Sequence, residues 1–140
     1  MTEGDETGAA ISVCNFVIGI MKGMQIGGAN LAGNMKGMQL NAMFGFVKKD
    51  FKGVQLAGMV NKDWNMEGVQ ISGLVNIVDG DKMAGLQIAI LGNKAMTTES
   101  SGVQFGFINQ ATSMKGIQIG LINIIEDGPL YFCPIINAAF

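Results

Sequence analysis

Gly116-Ile117-Gln118-Ile119-Gly120-Leu121-Ile122-Asn123 is the stretch that decides the fold, because it is the clearest copy of a repeat that runs through this 140-residue chain. Seven times a glycine is followed two residues later by a glutamine, and seven of the eight glutamines lie in such a pair. Successive glycines of these pairs are 14, 16, 15, 17, 17 and 14 residues apart, and an asparagine closes most units seven or eight residues after the glycine. This regular spacing predicts a repeat architecture in which each unit forms one structural element.

Alternate residues within each unit predict a β-strand. In the copy that begins at Gly116, the first, third and fifth residues after the glycine are Ile117, Ile119 and Leu121, and apolar residues at every second position are typical of a strand with one buried face. We expect this apolar face to form the core, with Ile88, Phe105, Phe107, Ile119 and Leu121 among its residues. The opposite face carries the glutamine and a small or short residue, and we expect it to point outward.

The terminal segments extend the repeat to nine units. Gly8–Asn15 fits the frame with Ala10 in the glutamine place, and Leu130–Asn137 fits it again at the other end. Identical motifs at a fixed period favour a parallel β-solenoid, because each residue then stacks on its equivalent one coil away and the amide side chains form ladders. We predict an acidic tail at residues 1–7, followed by one all-β domain at 8–140, a parallel β-solenoid of about nine coils. A closed antiparallel β-barrel is the alternative.

The segments between strands carry a second pattern. A large apolar residue stands two residues before most repeat glycines, as Met66 does before Gly68. We expect it to be an inward anchor on a separate short extended segment, with a sharp bend at the glycine, since glycine tolerates positive φ. At the C-terminal end, Pro134 cannot donate to a strand ladder and Phe132 replaces the glutamine. This end is therefore predicted to stop the stacking of coils.

The composition excludes several kinds of chemistry. The chain has no His, no Arg and only two Cys, so a Ser-His-Asp triad, a Cys-His pair, an imidazole metal ligand and a bidentate Arg clamp cannot form. Nine Lys against eleven acidic residues give a net charge of −2, without the basic stripe of a nucleic-acid-binding protein. We predict a protein that is not an enzyme, with no catalytic, cofactor-binding or metal-binding residues and no nucleic-acid partner.

Charged residues are confined to the segments between the strands and to the N-terminal tail. None of the charged residues lies between a repeat glycine and the residue before its asparagine, although a sheet face that meets water usually carries charge. Large uncharged patches on a protein surface mark contact sites. The glutamine face is therefore predicted to be an interaction face, formed by Gln25, Gln39, Gln55, Gln70, Gln87, Gln104 and Gln118.

The repeat pattern Gly-Val-Gln-Ile-Gly-Leu-Ile-Asn resembles the repeats of a bacterial surface-repeat family of β-rich proteins. The best copies are Gly102–Asn109 and Gly116–Asn123, with the end segment Pro134–Asn137. The resemblance implies a β-rich repeat fold and a protein that is exported to the cell surface. The sequence itself shows no signal peptide, so the compartment stays open at this point.

These observations predict one of two functions. The first is a non-catalytic structural or interaction protein that self-associates into a homo-oligomer through its uncharged strand face. The alternative is a secreted or surface binding module, like an effector or adhesin, which presents the same face to a protein or surface ligand. Contact with a membrane is also left open by the sequence.

Overall fold

The computed structural model describes residues 3–140, and within that range the regular structure is β-strand alone. The strands are β1 Glu6–Ile11, β2 Cys14–Ala57, β3 Val60–Ser72, β4 Val75–Val78, β5 Lys82–Ala89, β6 Gly92–Ala95, β7 Glu99–Phe105, β8 Ile108–Ala111, β9 Lys115–Ile125 and β10 Phe132–Ala139. No helix in residues 3–140 has the length and apolar character needed to span a membrane. Residues 1 and 2 of the predicted tail lie outside the described residues, and the first strand already begins at Glu6.

Equivalent residues of successive repeats stand side by side. The strands from β1 to β9 pair in parallel, and in the pairs that join β2, β3, β5, β7 and β9 the register places repeat glycine beside repeat glycine and glutamine beside glutamine. The asparagines align in the same way along β3, β4, β6, β8 and β9. The prediction of a parallel β-solenoid with a period of about 15 residues is confirmed, and the antiparallel alternative is wrong.

Each coil has two arms. We call the Gly-x-Gln segment, such as Met66–Ser72, the Gln arm, and the segment around the asparagine, such as Val75–Val78, the Asn arm. A short apolar bend at Gly73 and Leu74 joins the two arms of that coil, and a charged turn at 79–81 leads to the next coil. Charged residues near these turns form ion pairs between coils, including Lys52–Glu67 at 3.1 Å.

The ninth repeat unit does not form a further parallel coil. β10 runs antiparallel to β9, with Asn137 beside Gln118 and Phe132 beside Ile124. The register shifts between Cys133 and Ile135, where the intervening Pro134 has no N–H to donate to the ladder. The prediction that this unit continues the stack is wrong because the chain reverses after β9 and closes the last coil with a hairpin.

The methionines before the repeat glycines are buried, as expected of inward anchors. Met21, Met35, Met66 and Met83 are each at most 1 % exposed. The expected bend at the glycine does not exchange the two faces of the strand, because Met66 and Gln70, on either side of Gly68, are both buried. Gly68 has φ +137°, and a Cβ at this position would lie 2.0 Å from the carbonyl oxygen of Gly53 in the preceding coil. Glycine is required here because the backbones of adjacent coils approach too closely for any side chain.

The two faces of the Gln arm are reversed relative to the sequence prediction. The glutamines point into the solenoid, whereas Phe105, Phe107 and Leu121 are 53 %, 52 % and 63 % exposed, and Ile88 and Ile119 are only half-buried. Their assignment to the core is wrong. The alternation of residue types along a strand separates its two faces but does not determine which face is buried. Here the methionine, the repeat glycine and the glutamine stand at every second position and therefore lie on the same face. Because the methionines are buried, the glutamines are buried as well.

One coil lacks the usual asparagine and compensates from the other arm. Gly45 stands beside Asn61 in the register, in the place where other coils have asparagine. Asn41, on the Gln arm of the same coil, fills the gap by accepting from Asn30 Nδ2 at 2.6 Å and donating to Asn61 Oδ1 at 3.5 Å. A Cβ on Gly45 would lie 2.2 Å from Asn41 Nδ2. The two residues have thus exchanged roles within one coil.

This exchange predicts a strong coupling between positions 41 and 45. Asn41→Gly should lower the free energy of unfolding by about 2 kcal/mol, because it leaves buried amide groups of neighbouring coils unpaired. Gly45→Asn should also lower the free energy of unfolding, because the new side chain would clash with that of Asn41. The double variant restores the arrangement of the other coils and should recover most of the loss. Urea denaturation measures all three, and additive losses in the double variant would contradict the exchange.

Candidate functional site

The glutamines of seven coils form a continuous buried ladder. Each Nε2 from Gln39 onward donates to the Oε1 of the glutamine in the preceding coil, at distances of 2.7–3.1 Å. All seven side chains are 0 % exposed. The two end atoms of the ladder, Gln25 Nε2 and Gln118 Oε1, have no partner within the described residues. The chain of amides therefore has a direction, with donors toward the N-terminal coil and acceptors toward the C-terminal coil.

The asparagines form a second ladder that runs in the opposite direction. Asn61 Nδ2 donates to Asn76 Oδ1 at 3.0 Å, and the pattern continues through Asn93 and Asn109 to Asn123. The same Nδ2 of Asn76 also donates to the carbonyl of Ile88 at 2.8 Å, where the next coil leaves the Gln arm. Because a buried carbonyl without a donor is costly, each asparagine stabilises the bend of the following coil as well as its own ladder.

The predicted interaction residues are therefore interior residues. Gln25, Gln39, Gln55, Gln70, Gln87, Gln104 and Gln118 are brought together in one row, but none has exposed surface, so their side chains cannot touch a partner. The prediction that they point outward is wrong. A small residue two positions after the glutamine, such as Ala89, is buried with them. The lack of charge in this row reflects burial, since an unpaired charge in the interior is strongly disfavoured.

A charge placed in the ladder tests its burial. Gln87→Glu removes the donor to Gln70 and puts a carboxylate into a row of amides, so we expect this variant to be unfolded or strongly destabilised at neutral pH. Acidification should partly restore the fold by protonating the new carboxyl group. Thermal unfolding followed by circular dichroism at pH 4 and pH 7 measures the effect. Ser101→Glu, at an exposed position of β7, is the matched control, and equal stability of the two variants would contradict the buried ladder.

One native carboxyl group already lies against the glutamine ladder. Asp63 is 1 % exposed and accepts from Gln55 Nε2 at 3.1 Å and from Gln70 Nε2 at 2.8 Å. Desolvation by burial raises its pKa from 3.8 to about 8, although the hydrogen bonds from the two glutamines oppose the shift. The adjacent coils hold Val47 and Val78 in the same buried row. Asp63 is thus a protonated acid at neutral pH, held in place by the amides it satisfies.

The raised pKa of Asp63 predicts that stability falls as pH rises. Above pH 4 this carboxyl is ionised in the unfolded chain but keeps its proton in the folded chain. The free energy of unfolding therefore falls by about 3 kcal/mol between pH 5 and pH 7. Asp63→Asn should remove most of this slope. Asp81→Asn, at an exposed turn, should keep it. Urea denaturation at several pH values measures the slope, and an Asp63→Asn variant with the wild-type pH dependence would contradict the assignment.

The outward side of the Gln arm is uncharged and apolar from the residue after the repeat glycine onward. We call it the apolar face, and it consists of the residues one, three and five positions after each repeat glycine, such as Val69, Ile71 and Gly73. Its third- and fifth-position residues line a groove of about 1160 Å³ that crosses successive coils, with Leu56, Ile88 and Phe105 among the lining residues. None of the lining residues is charged. The charges lie on the turns, on the Asn arm and directly before most repeat glycines, as Lys52, Glu67 and Lys115 do, so charge borders the apolar face along its length.

A sequence signal could have identified this face. The inward anchor and the glutamine are four residues apart, as in Met66 and Gln70, and positions four apart share one face of a continuous strand. Only the assumption of a bend at Gly68 hid this relation. With the strand taken as continuous, the same parity places the isoleucines, leucines and phenylalanines outside.

Residues 3–140 hold no cluster of three or more His, Cys, Asp or Glu side chains that could bind a metal ion. No family model, no curated protein and no solved structure matches this chain. The resemblance of its repeats to a bacterial surface-repeat family stays a prediction.

Proposed function

We propose that this chain is a non-catalytic structural or interaction protein that self-associates through the apolar face. The observation that carries the proposal is the exposure of Ile90, Phe107 and Leu121, which are each more than half exposed on a surface without charge. Contiguous apolar patches of this kind are rare on monomeric proteins and mark contact sites. The residues that make contact in this proposal are the apolar neighbours of the glutamines rather than the glutamines themselves.

The shape of the face supports a protein partner. Parallel strands stack about 4.8 Å apart and rise about 3.3 Å per residue, so seven coils with five residues each present an area of about 33 Å by 16 Å. Covering it in a pair of molecules buries about 1,000 Å² in total, which reaches the lower size of specific interfaces. The non-catalytic part of the proposal rests on the composition, because a chain without His and Arg lacks the side chains of most acid–base and anion-binding sites.

A charge on the apolar face should prevent association. Phe107→Lys places an ammonium group within the proposed interface, and we expect dissociation to monomers or a loss of affinity of at least about tenfold. Size-exclusion chromatography with light scattering measures the mass. Trp64→Lys is the matched control, because Trp64 is 50 % exposed, close to the 52 % of Phe107, but lies in the charged region near Lys62.

Both variants should keep the wild-type circular dichroism spectrum, since neither replaced side chain is buried. A wild-type chain that remains monomeric at high concentration would refute self-association. Equal effects of Phe107→Lys and Trp64→Lys on the mass would show that the apolar face is not the contact surface.

The groove favours one further candidate function, a binding module that presents the apolar face to an apolar ligand or surface. A concave apolar lining with few polar groups is typical of ligand sites. In that case the wild-type chain is monomeric, and a fluorescent apolar probe binds to it but not to Phe107→Lys. Binding of the probe by a monomer would replace the first proposal with this one.

A further inference from the structure

The apolar face is graded in size along the solenoid axis. Five residues after the repeat glycine, the coils of the N-terminal half have small residues, and those of the C-terminal half have large ones. The small residues are Gly28, Ala42, Gly58 and Gly73, and the large ones are Ile90, Phe107 and Leu121. The row three residues after the glycine is bulky throughout, from Ile26 to Ile119. The outer row thus forms a channel over one half of the molecule and a ridge over the other.

We infer that the partner of this face is a second copy of the same chain, packed face to face with its solenoid axis antiparallel. This inference rests on the self-association proposed above and specifies its geometry. A two-fold axis that lies in the interface, parallel to the strands and between the coils of Gly73 and Ile90, brings the ridge of each copy over the channel of the other. It places Ile90 against the partner's Gly73 and Phe107 against the partner's Gly58.

The same operation places Leu121 against the partner's Ala42, so each large residue in this row meets a small one. The bulky row at the third position then meets its counterpart as in the inner faces of a β-sandwich, about 10 Å apart. Val13, five residues after Gly8, is the one large residue in this row of the N-terminal half. It faces no coil of the partner, because the two-fold axis places it beyond the partner's ninth repeat unit. A two-fold axis along the solenoid instead reverses the strand direction, so it would set the fifth-position row against the partner's first-position row, which is bulky from Met24 to Ile117 and offers no channel for the ridge.

Crosslinking of introduced thiols between copies tests the geometry. Cys14 and Cys133 are free and are first replaced by Ser, so that only introduced thiols can react. Into this background we place Ala42→Cys and Leu121→Cys, separately and together; both positions already carry side chains. In the antiparallel pair the two Ala42 residues lie 2.5 coils on either side of the axis, about 24 Å apart at 4.8 Å per coil. The facing strands are about 10 Å apart, beyond the roughly 7 Å between Cα atoms that a disulfide allows. The thiols are therefore joined with a bismaleimide too short to span about 24 Å.

We expect the double variant to form a covalent dimer when the bismaleimide is added, read on denaturing gels, and each single variant to stay uncrosslinked at the same protein concentration. An equimolar mixture of the two single variants should give a mixed dimer. The mass measured before the crosslinker is added separates this inference from the proposal beneath it. A dimer in which a single variant crosslinks, or the double variant does not, overturns the antiparallel geometry and leaves self-association standing. A monomer overturns both, and a monomer that floats with phosphatidylcholine vesicles assigns the face to a lipid surface.

Discussion

The hydrogen bond between glutamine side chains of adjacent coils is the interaction on which the rest of this structure depends. A primary amide in the interior has to find partners, because leaving a buried donor or acceptor unpaired costs about 1–3 kcal/mol. In the ladder, each interior glutamine finds both partners in equivalent residues one coil away, as Gln70 does in Gln55 and Gln87. A slip of one residue would turn the glutamines outward and break every bond at once. The ladder therefore fixes the register of the whole Gln arm.

The narrow interior follows from the same stacking. Repeat glycines such as Gly68 approach the preceding coil too closely to carry a side chain, and this closeness lets the amides meet at hydrogen-bond distance. The asparagines support the other arm with a ladder of opposite direction, so the dipoles of the two amide rows oppose each other. The remaining interior is filled by a row of methionines and a facing row of small apolar residues that includes Ala95 and Ala111. Polar ladders and a thin apolar core thus share one interior.

An interior occupied by amides leaves the large aliphatic and aromatic residues outside. Soluble proteins usually place such residues in the core, yet here Phe105 and Leu121 stand on the surface of the same strands whose glutamines are buried. The charged residues lie away from the apolar face, and pairs such as Lys62–Asp79 at 3.3 Å link neighbouring coils. The molecule therefore has one side suited to water and one suited to an apolar contact. The size gradient along that second side gives it a polarity that a uniform repeat would lack.

The sequence by itself determined the repeat, its period and the parallel stacking, because identical residues at fixed spacing can satisfy one another only when they are aligned. It also determined that the methionines before the repeat glycines point inward. Tertiary structure decided which face of the Gln arm is buried, since the spacing of Met66 and Gln70 places both on one face only if the strand keeps its alternation through Gly68, and the energy of the ladder arises only when several coils are stacked. Tertiary structure likewise decided in which direction the last repeat unit runs and that Asn41 takes the place of the missing asparagine. A local pattern fits the frame at Leu130–Asn137, but whether the chain crosses back in parallel or reverses depends on how the connection after β9 packs.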